Sequence, residues 1–277
     1  MGTIDGARAT RAAAFTVGAA CLAAAAGAYA QTENSAEELA KKLSNPVSSM
    51  ISVPFQFNYD AKIGPARDGH RFTMNLQPVI PIELNRDWNV ISRTILPLTD
   101  QHDIFPGAGS QSGLGDTLQS FFFSPKKPTA GGWIWGAGPV LLLPTGSDDL
   151  LSARKWAAGP TGVALKQEGA WTYGILFNHL WSFAGDSDRS YLSNTFLQPF
   201  VAHTTKDAWT YSLNTESTYD WNAREWTVPV NASIAKLVHI GKLPVSFALN
   251  ARYWAESPDN APHGWGARFV VTLLFPT

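Results

Sequence analysis

Between Trp171 and Ser182 the chain alternates. Trp171, Tyr173, Ile175, Phe177, His179 and Trp181 fall on one parity and are nearly all large and apolar, while Thr172, Gly174, Leu176, Asn178, Leu180 and Ser182 on the other are mixed. A period of two marks a strand. Segments of about ten residues with this habit recur from Val47 onward, separated by clusters of Gly, Pro, Asn and Asp. They predict about twelve strands, at 48–59, 72–84, 88–97, 116–124, 133–143, 156–166, 171–182, 192–204, 209–220, 226–238, 244–254 and 265–275. The connections alternate in length. Short ones at 85–87, 126–132, 166–170, 205–208 and 239–243 take turns with longer ones at 60–71, 99–115, 144–155, 183–191, 221–225 and 255–264.

Tight turns at one rim and long loops at the other predict an all-β fold, a closed antiparallel transmembrane β-barrel whose tight turns face the periplasm. Trp171 follows a short turn and Trp181 precedes a long loop. Ten steps of strand cover ~33 Å, or ~25 Å along the normal at a tilt near 40°, which matches the apolar band of such barrels. Trp88, Trp133, Trp171 and Trp209 each open a strand after a short turn, and Trp156, Trp226 and Trp265 open strands on the loop side. An indole is apolar in body but wants its N–H near water, so two aromatic girdles are expected. A soluble sandwich also alternates, but its outward face carries charge. Here the second face is small and uncharged: in 265–275 it reads Gly266, Arg268, Val270, Thr272, Leu274 against Trp265, Ala267, Phe269, Val271, Leu273, Phe275.

One helix is expected. Ser35 and Glu38 form a capping box, and Ala36, Leu39, Ala40 and Leu43 share a face. Residues 31–46 read as a periplasmic leader; a helix tucked into the barrel mouth is the second reading. Composition changes the picture at the N-terminus, where Arg8 and Arg11 precede an Ala-rich run from Ala12 to Ala26 and "AYA" at 28–30, the pattern of a secretory signal cleaved after Ala30. The single cysteine, Cys21, lies inside it, so the mature chain carries no thiol chemistry. Removing Asp5, Arg8 and Arg11 leaves 19 basic and 21 acidic residues, which gives no footprint for nucleic acid.

The segments "QPVIPIEL" (77–84), "RTILPL" (93–98), "DIFPGAGSQSGLGDTLQSFFFSP" (103–125), "WGAGPVLLLPTG" (135–146) and "ESPDNAPHGWGARFVVTLLFP" (256–276) resemble a bacterial outer-membrane β-barrel "transporter" family, grouped with the phenol-degradation MetA-pathway barrel proteins, some of them labelled neuromedin U. The resemblance runs from about Ser35 to the C-terminus. It implies a Gram-negative outer-membrane barrel that moves small compounds, aromatic ones included, and it brings no binding or catalytic residues to carry over.

If the apolar faces meet lipid, the opposite faces define the lumen: Gln56, Asn58, Asn75, Gln77, Arg93, Gln119, Asn214, Glu216, Asp220, Asn250, Arg252, Trp254 and Arg268. A charge there must be paired or wetted, so Glu216, Arg252 and Arg268 are expected to form a cluster in the outward half. It would serve either as a selectivity ring or as a ladder of ion pairs propping a narrow barrel. The selectivity candidates are Arg93, Asn214, Glu216, Asn250, Arg252, Trp254 and Arg268. The 99–115 loop is long enough to fold inward as a constriction or to stay outside. Lys236 falls on the lipid face two residues from a turn, where it can snorkel.

His179, also on the lipid face, offers the one route to an enzyme, an outer-membrane lipid hydrolase, but Ser182 has the opposite parity. No catalytic residues, metal site or cofactor are expected: "GAGSQSG" lacks dinucleotide spacing and the six histidines are scattered. The expected activity is passive passage of small, aromatic or hydrophobic solutes; the alternative is a non-conducting structural or surface-interaction barrel. Expected partners are outer-membrane lipid, the solute and the barrel-assembly machinery.

Overall fold

The computed structural model describes residues 35–275. The expected signal at 1–30, with Cys21, lies outside the described residues. One helix, α1 (Ala36–Leu43), precedes the strands β1 (Ile51–Ile63), β2 (Gly69–Leu76), β3 (Val79–Glu83), β4 (Trp88–His102), β5 (Ser110–Leu114), β6 (Thr117–Pro125), β7 (Trp133–Leu143), β8 (Lys155–Glu168), β9 (Trp171–Gly185), β10 (Ser193–Thr204), β11 (Trp209–Thr215), β12 (Ser217–Asp220), β13 (Glu225–Ile240), β14 (Leu243–Glu256) and β15 (Gly264–Phe275). β2 and β3 both pair with β1 and β4, β5 and β6 both with β4, and β11 and β12 both with β10 and β13. Each couple is one interrupted stave, so the segments make twelve antiparallel staves. β15 pairs with β1 from Ile51↔Phe275 to Tyr59↔Ala267, and the barrel is closed.

The three interruptions share a cause. Gln77 N–H donates to the Pro54 carbonyl (2.9 Å), Gly115 N–H to the Pro97 carbonyl (2.9 Å) and Glu216 N–H to the Pro229 carbonyl (3.2 Å). Proline has no N–H to return. The ladder lapses opposite each one, and one lapse falls on Glu216 itself.

The alternation sorts the two surfaces of the wall. On β9, Trp171 and Trp181 are 51% and 53% exposed, while the intervening Thr172 and Leu176 are 1% and 2% exposed. The bulky parity therefore faces out. Lys236, on that outer face, turns back to the short-turn rim, where its Nζ donates to the Asp207 carbonyl and sits 5.0 Å from the Trp209 ring centroid.

Of the two readings of the helix, the structure takes the second: α1 lies inside the short-turn end of the barrel. Ser35 caps it, its Oγ accepting from Glu38 N–H at 3.2 Å. Leu39 and Ala40 are buried against Met50, Ala208, Leu237 and Leu274, and Gln167 Nε2 donates to the Lys41 carbonyl at 2.9 Å. Beyond the helix, Val47 joins a second buried cluster with Ile91, Phe122, Val163, Leu165 and Leu176. Gly136 makes room for it, since a Cβ there would lie 3.2 Å from both Val47 Cγ1 and Phe122 Cβ. Residues 36–50 thus span two apolar clusters before the first strand begins.

The 99–115 segment does not fold inward. Leu98–His102 pairs with Ser110–Leu114, so most of it is a strand extension beyond the rim. The 144–154 loop reaches in instead. Asp116 anchors it by accepting from Gly146 N–H (3.1 Å), Ser152 Oγ (2.7 Å) and Ala153 N–H (2.7 Å), and the Leu150 carbonyl accepts from Gln101 Nε2 at 3.3 Å.

Candidate functional site: the polar wall of the lumen

Alternation within strands and register between them stack the lumen residues into rows. Asn214 pairs with Asn231, Asn231 with Arg252 and Arg252 with Gly266; beyond β15, Asp60 pairs with Arg71, Arg71 with Gln101 and Gln101 with Gln111. The side chains bond along this row. Asn231 Nδ2 donates to Asn214 Oδ1 (3.0 Å) and Arg252 Nε to Asn231 Oδ1 (3.0 Å). Arg71 Nε donates to Gln101 Oε1 (2.8 Å), and Gln101 Nε2 to Gln111 Oε1 (3.0 Å). Between Arg252 and Asp60 the row must cross β15, and it does so over Gly266. A Cβ at Gly266 would lie 2.7 Å from Asp60 Oδ1. Its absence lets Arg252 Nη1 reach Asp60 Oδ2 at 3.2 Å.

A second row lies one alternation lower. Asn250 pairs with Arg268, Arg268 with Asn58, and Asn58 with Thr73. Arg268 Nε donates to Asn58 Oδ1 at 2.7 Å, and Asn58 Nδ2 to the Thr73 carbonyl at 3.0 Å. Glu216 joins the rows: its Oε1 accepts from Arg268 Nη1 and its Oε2 from Arg268 Nη2, both at 2.7 Å, and Oε2 also accepts from Arg252 Nη2 at 3.0 Å. Trp254 Nε1 donates to Asp60 Oδ1 at 3.0 Å, and the Arg252 guanidinium lies 5.3 Å from its ring centroid. Charges held this far from bulk water persist only because nearly every donor and acceptor is met.

These rows border a cavity of about 700 Å³. Ala40, Leu43 and Ser44 bound it on the α1 side, and Ala261 and Pro262 of the β14–β15 loop also line it. All seven selectivity candidates line it: Arg93, Asn214, Glu216, Asn250, Arg252, Trp254 and Arg268, together with Gln56, Asn58, Asn75 and Gln77. Arg93 Nη2 donates to Gln77 Oε1 at 3.2 Å.

One expected lumen residue faces elsewhere, and another, Asp220, keeps the parity of the cavity-lining Phe196 and Thr227 but lies beyond the cavity. Gln119 is opposite Thr94, on the parity of Phe121 and the exposed Phe123, and so faces outward; it accepts from Thr94 Oγ1 (2.5 Å) and donates to Ser92 Oγ (3.0 Å). Asp220 uses Oδ1 at the outer rim to accept from Asn222 and Ala223 N–H. Conversely, sequence reading passed over Asp60, Arg71, Gln101 and Asn231. Asp60 and Arg71 fell in a predicted loop, though they keep the parity of Asn58 and Asn75 and strand pairing runs through them.

No family model and no curated protein matches the chain. Among solved structures it is similar to an outer membrane channel from Pseudomonas putida F1, with a TM-score of 0.65 and 14% identity over 82% of this chain and 96% of that one. The fold is that of outer-membrane barrels. The NanC porin is also similar, with a TM-score of 0.50 and 9% identity over 82% of this chain and 100% of that one.

Proposed function

We propose that the protein is an outer-membrane channel through which small solutes pass passively, its N-terminal segment serving as a movable stopper. The observation that carries this reading is the cavity of about 700 Å³ inside a closed barrel, walled by the rows of Arg, Asn and Gln and bounded on one side by α1. A twelve-stave cylinder is narrower than the wide aqueous porins, so solutes travel singly. The likeness to an outer membrane channel and a porin is consistent with this. The MetA-pathway resemblance adds aromatic and hydrophobic solutes to the expected cargo. Lipid surrounds the girdles, and the barrel-assembly machinery inserts the chain after the signal is removed.

The test is solute flux into liposomes carrying the purified barrel. Flux above empty vesicles supports the channel, and its absence at every voltage and pH tried favours a non-conducting barrel. That second reading has its own support in the two apolar clusters that residues 36–50 fill. A lipid hydrolase is the weaker option. His179 Nδ1 does lie 2.7 Å from Thr195 Oγ1 on the outer face, but that oxygen accepts from Trp221 Nε1 (2.8 Å) and His179 Nε2 meets no orienting group. A structural girdle role accounts for all three side chains.

A further inference from the structure

Six charged side chains line the cavity: Asp60, Arg71, Arg93, Glu216, Arg252 and Arg268. Four are cationic and two anionic, and both carboxylates are already engaged. Glu216 is held by Arg268 and Arg252, and Asp60 by Arg252 and the Trp254 indole. Among the described residues, neither Arg71 nor Arg93 has a carboxylate within 4.0 Å. Each finds only a neutral amide oxygen, Gln101 Oε1 for Arg71 and Gln77 Oε1 for Arg93. A guanidinium carries five donors in a planar fork that matches a carboxylate two bonds at a time. The lumen therefore has an excess of positive charge, and on Arg71 and Arg93 most of the guanidinium donors have no protein partner.

Arg93 has a second property. Ile91, two residues earlier on the same face of β4, is 0% exposed within the cluster containing Phe122 and Leu176. Val79, the cross-strand partner of Arg93, packs on that cluster, as does Phe196. Phe196 and Ile95 in turn border the cavity beside Arg93, Asn75 and Gln77. Arg93 thus stands on the line where the polar wall of the lumen meets its apolar wall.

We propose that Arg93 is the specificity-determining residue of a subsite for small amphiphilic carboxylates, molecules with one carboxylate and one apolar body such as a single aromatic ring. The carboxylate bonds the Nη hydrogens of Arg93 that Gln77 leaves unused, and the ring lies along Phe196 and Ile95. A cavity of about 700 Å³ is within the size range of small-molecule sites. A neutral ring forfeits the charge-assisted bonds, and a carboxylate without a ring forfeits the ledge. Both halves are therefore needed. Arg71, in the upper row beside Gln101, supplies positive field toward the loop end and acts on entry rather than on fit. The proposal takes its transport meaning from the channel reading, but the binding it asserts is measurable without flux.

The experiment is calorimetric titration of the full barrel in detergent, micelle-only blanks subtracted, with three probes: benzoate, benzyl alcohol and acetate. Benzoate is expected to bind saturably at one site, at least tenfold tighter than either other probe. R93Q should lose at least tenfold in benzoate affinity and R93K less, while R71Q changes it under threefold. Slower gel migration after boiling certifies that each variant is folded, and R93K keeps the test decisive should R93Q fail to fold. Equal binding of benzyl alcohol and benzoate, wild-type affinity in R93Q, or no saturable benzoate binding overturns the proposal. Saturable benzoate binding with no flux in liposomes would sink the channel reading and leave the subsite standing. Salt flux with benzoate binding indifferent to Arg93 would do the reverse.

Discussion

Arg268 grips both oxygens of Glu216, Nη1 on Oε1 and Nη2 on Oε2, each at 2.7 Å. The two residues stand on staves separated by β13 and β14, so the pair is a chord across the lumen rather than a neighbour contact. Removing one member leaves a charge short of its partner in a confined space. Breaking such a pair costs about 3–5 kcal/mol when fully dry, and a cavity that admits water brings the figure toward the lower end. Glu216→Gln and Arg268→Gln should each lower the midpoint of urea unfolding in detergent. The double variant should lose clearly less than the sum of the two, because they share one interaction. Additive losses would show that the chord carries no coupling.

Gly266 should not tolerate a methyl group. In Gly266→Ala the Cβ meets Asp60 Oδ1 at 2.7 Å and the Tyr59 carbonyl at 2.8 Å, and the second cannot yield without moving β1. The expected loss is about 1–3 kcal/mol, read as a smaller fraction of heat-modifiable barrel at a fixed urea concentration. Gly131→Ala, where φ is not positive and a Cβ would come no nearer than 3.6 Å to any of its neighbours, is the control for an added methyl without a clash.

The two faces of the wall can be told apart by charge. Ile175→Arg puts a cation on the outer apolar band and should cost about 2–4 kcal/mol of membrane-folded stability. Gln198→Arg, on the cavity side, should leave stability nearly unchanged while raising anion over cation permeability in planar bilayers. An Ile175→Arg barrel as stable as the parent would contradict the assignment of faces.

The N-terminal segment is held by identifiable side chains, so it can be loosened. A buried Leu→Ala change costs about 2–5 kcal/mol. With Leu39 and Val47 in separate clusters, the double change Leu39→Ala, Val47→Ala should weaken both moorings while leaving the strand ladders intact. Single-channel recording is expected to show longer or larger openings, with unchanged gel mobility before boiling. Unaltered openings in a folded barrel would mean that residues 36–50 are not the barrier.

Much of this was legible in the sequence, and the exceptions have physical reasons. The twelve staves and their outer face followed from alternation, because one face of every strand meets a single medium. Strand ends were cut short where pairing continues past the apolar band: Asp60–Ile63 and Thr99–His102 stay laddered beyond it. Gln119 was misassigned because Phe121, Phe122 and Phe123 erase the alternation in β6. Only register shows that Phe122 points inward, at 0% exposure, and Phe123 outward, at 42%. The inward apolar cluster around Ile91 and Leu165 was likewise invisible, since it answers to Val47 rather than to lipid. That Glu216, Arg252 and Arg268 would gather was expected from their positions along the strands; which oxygen meets which guanidinium across β13 and β14 was not, because no single strand's pattern reveals a chord.

Where α1 docks bears on when it can dock. Its socket includes Met50, just ahead of the first strand, and Leu274, in the last, and those two strands form the seam that seals the cylinder. Before the seam is made, Leu39 has only part of a socket to occupy. Closing the seam therefore completes the socket that Leu39 fills.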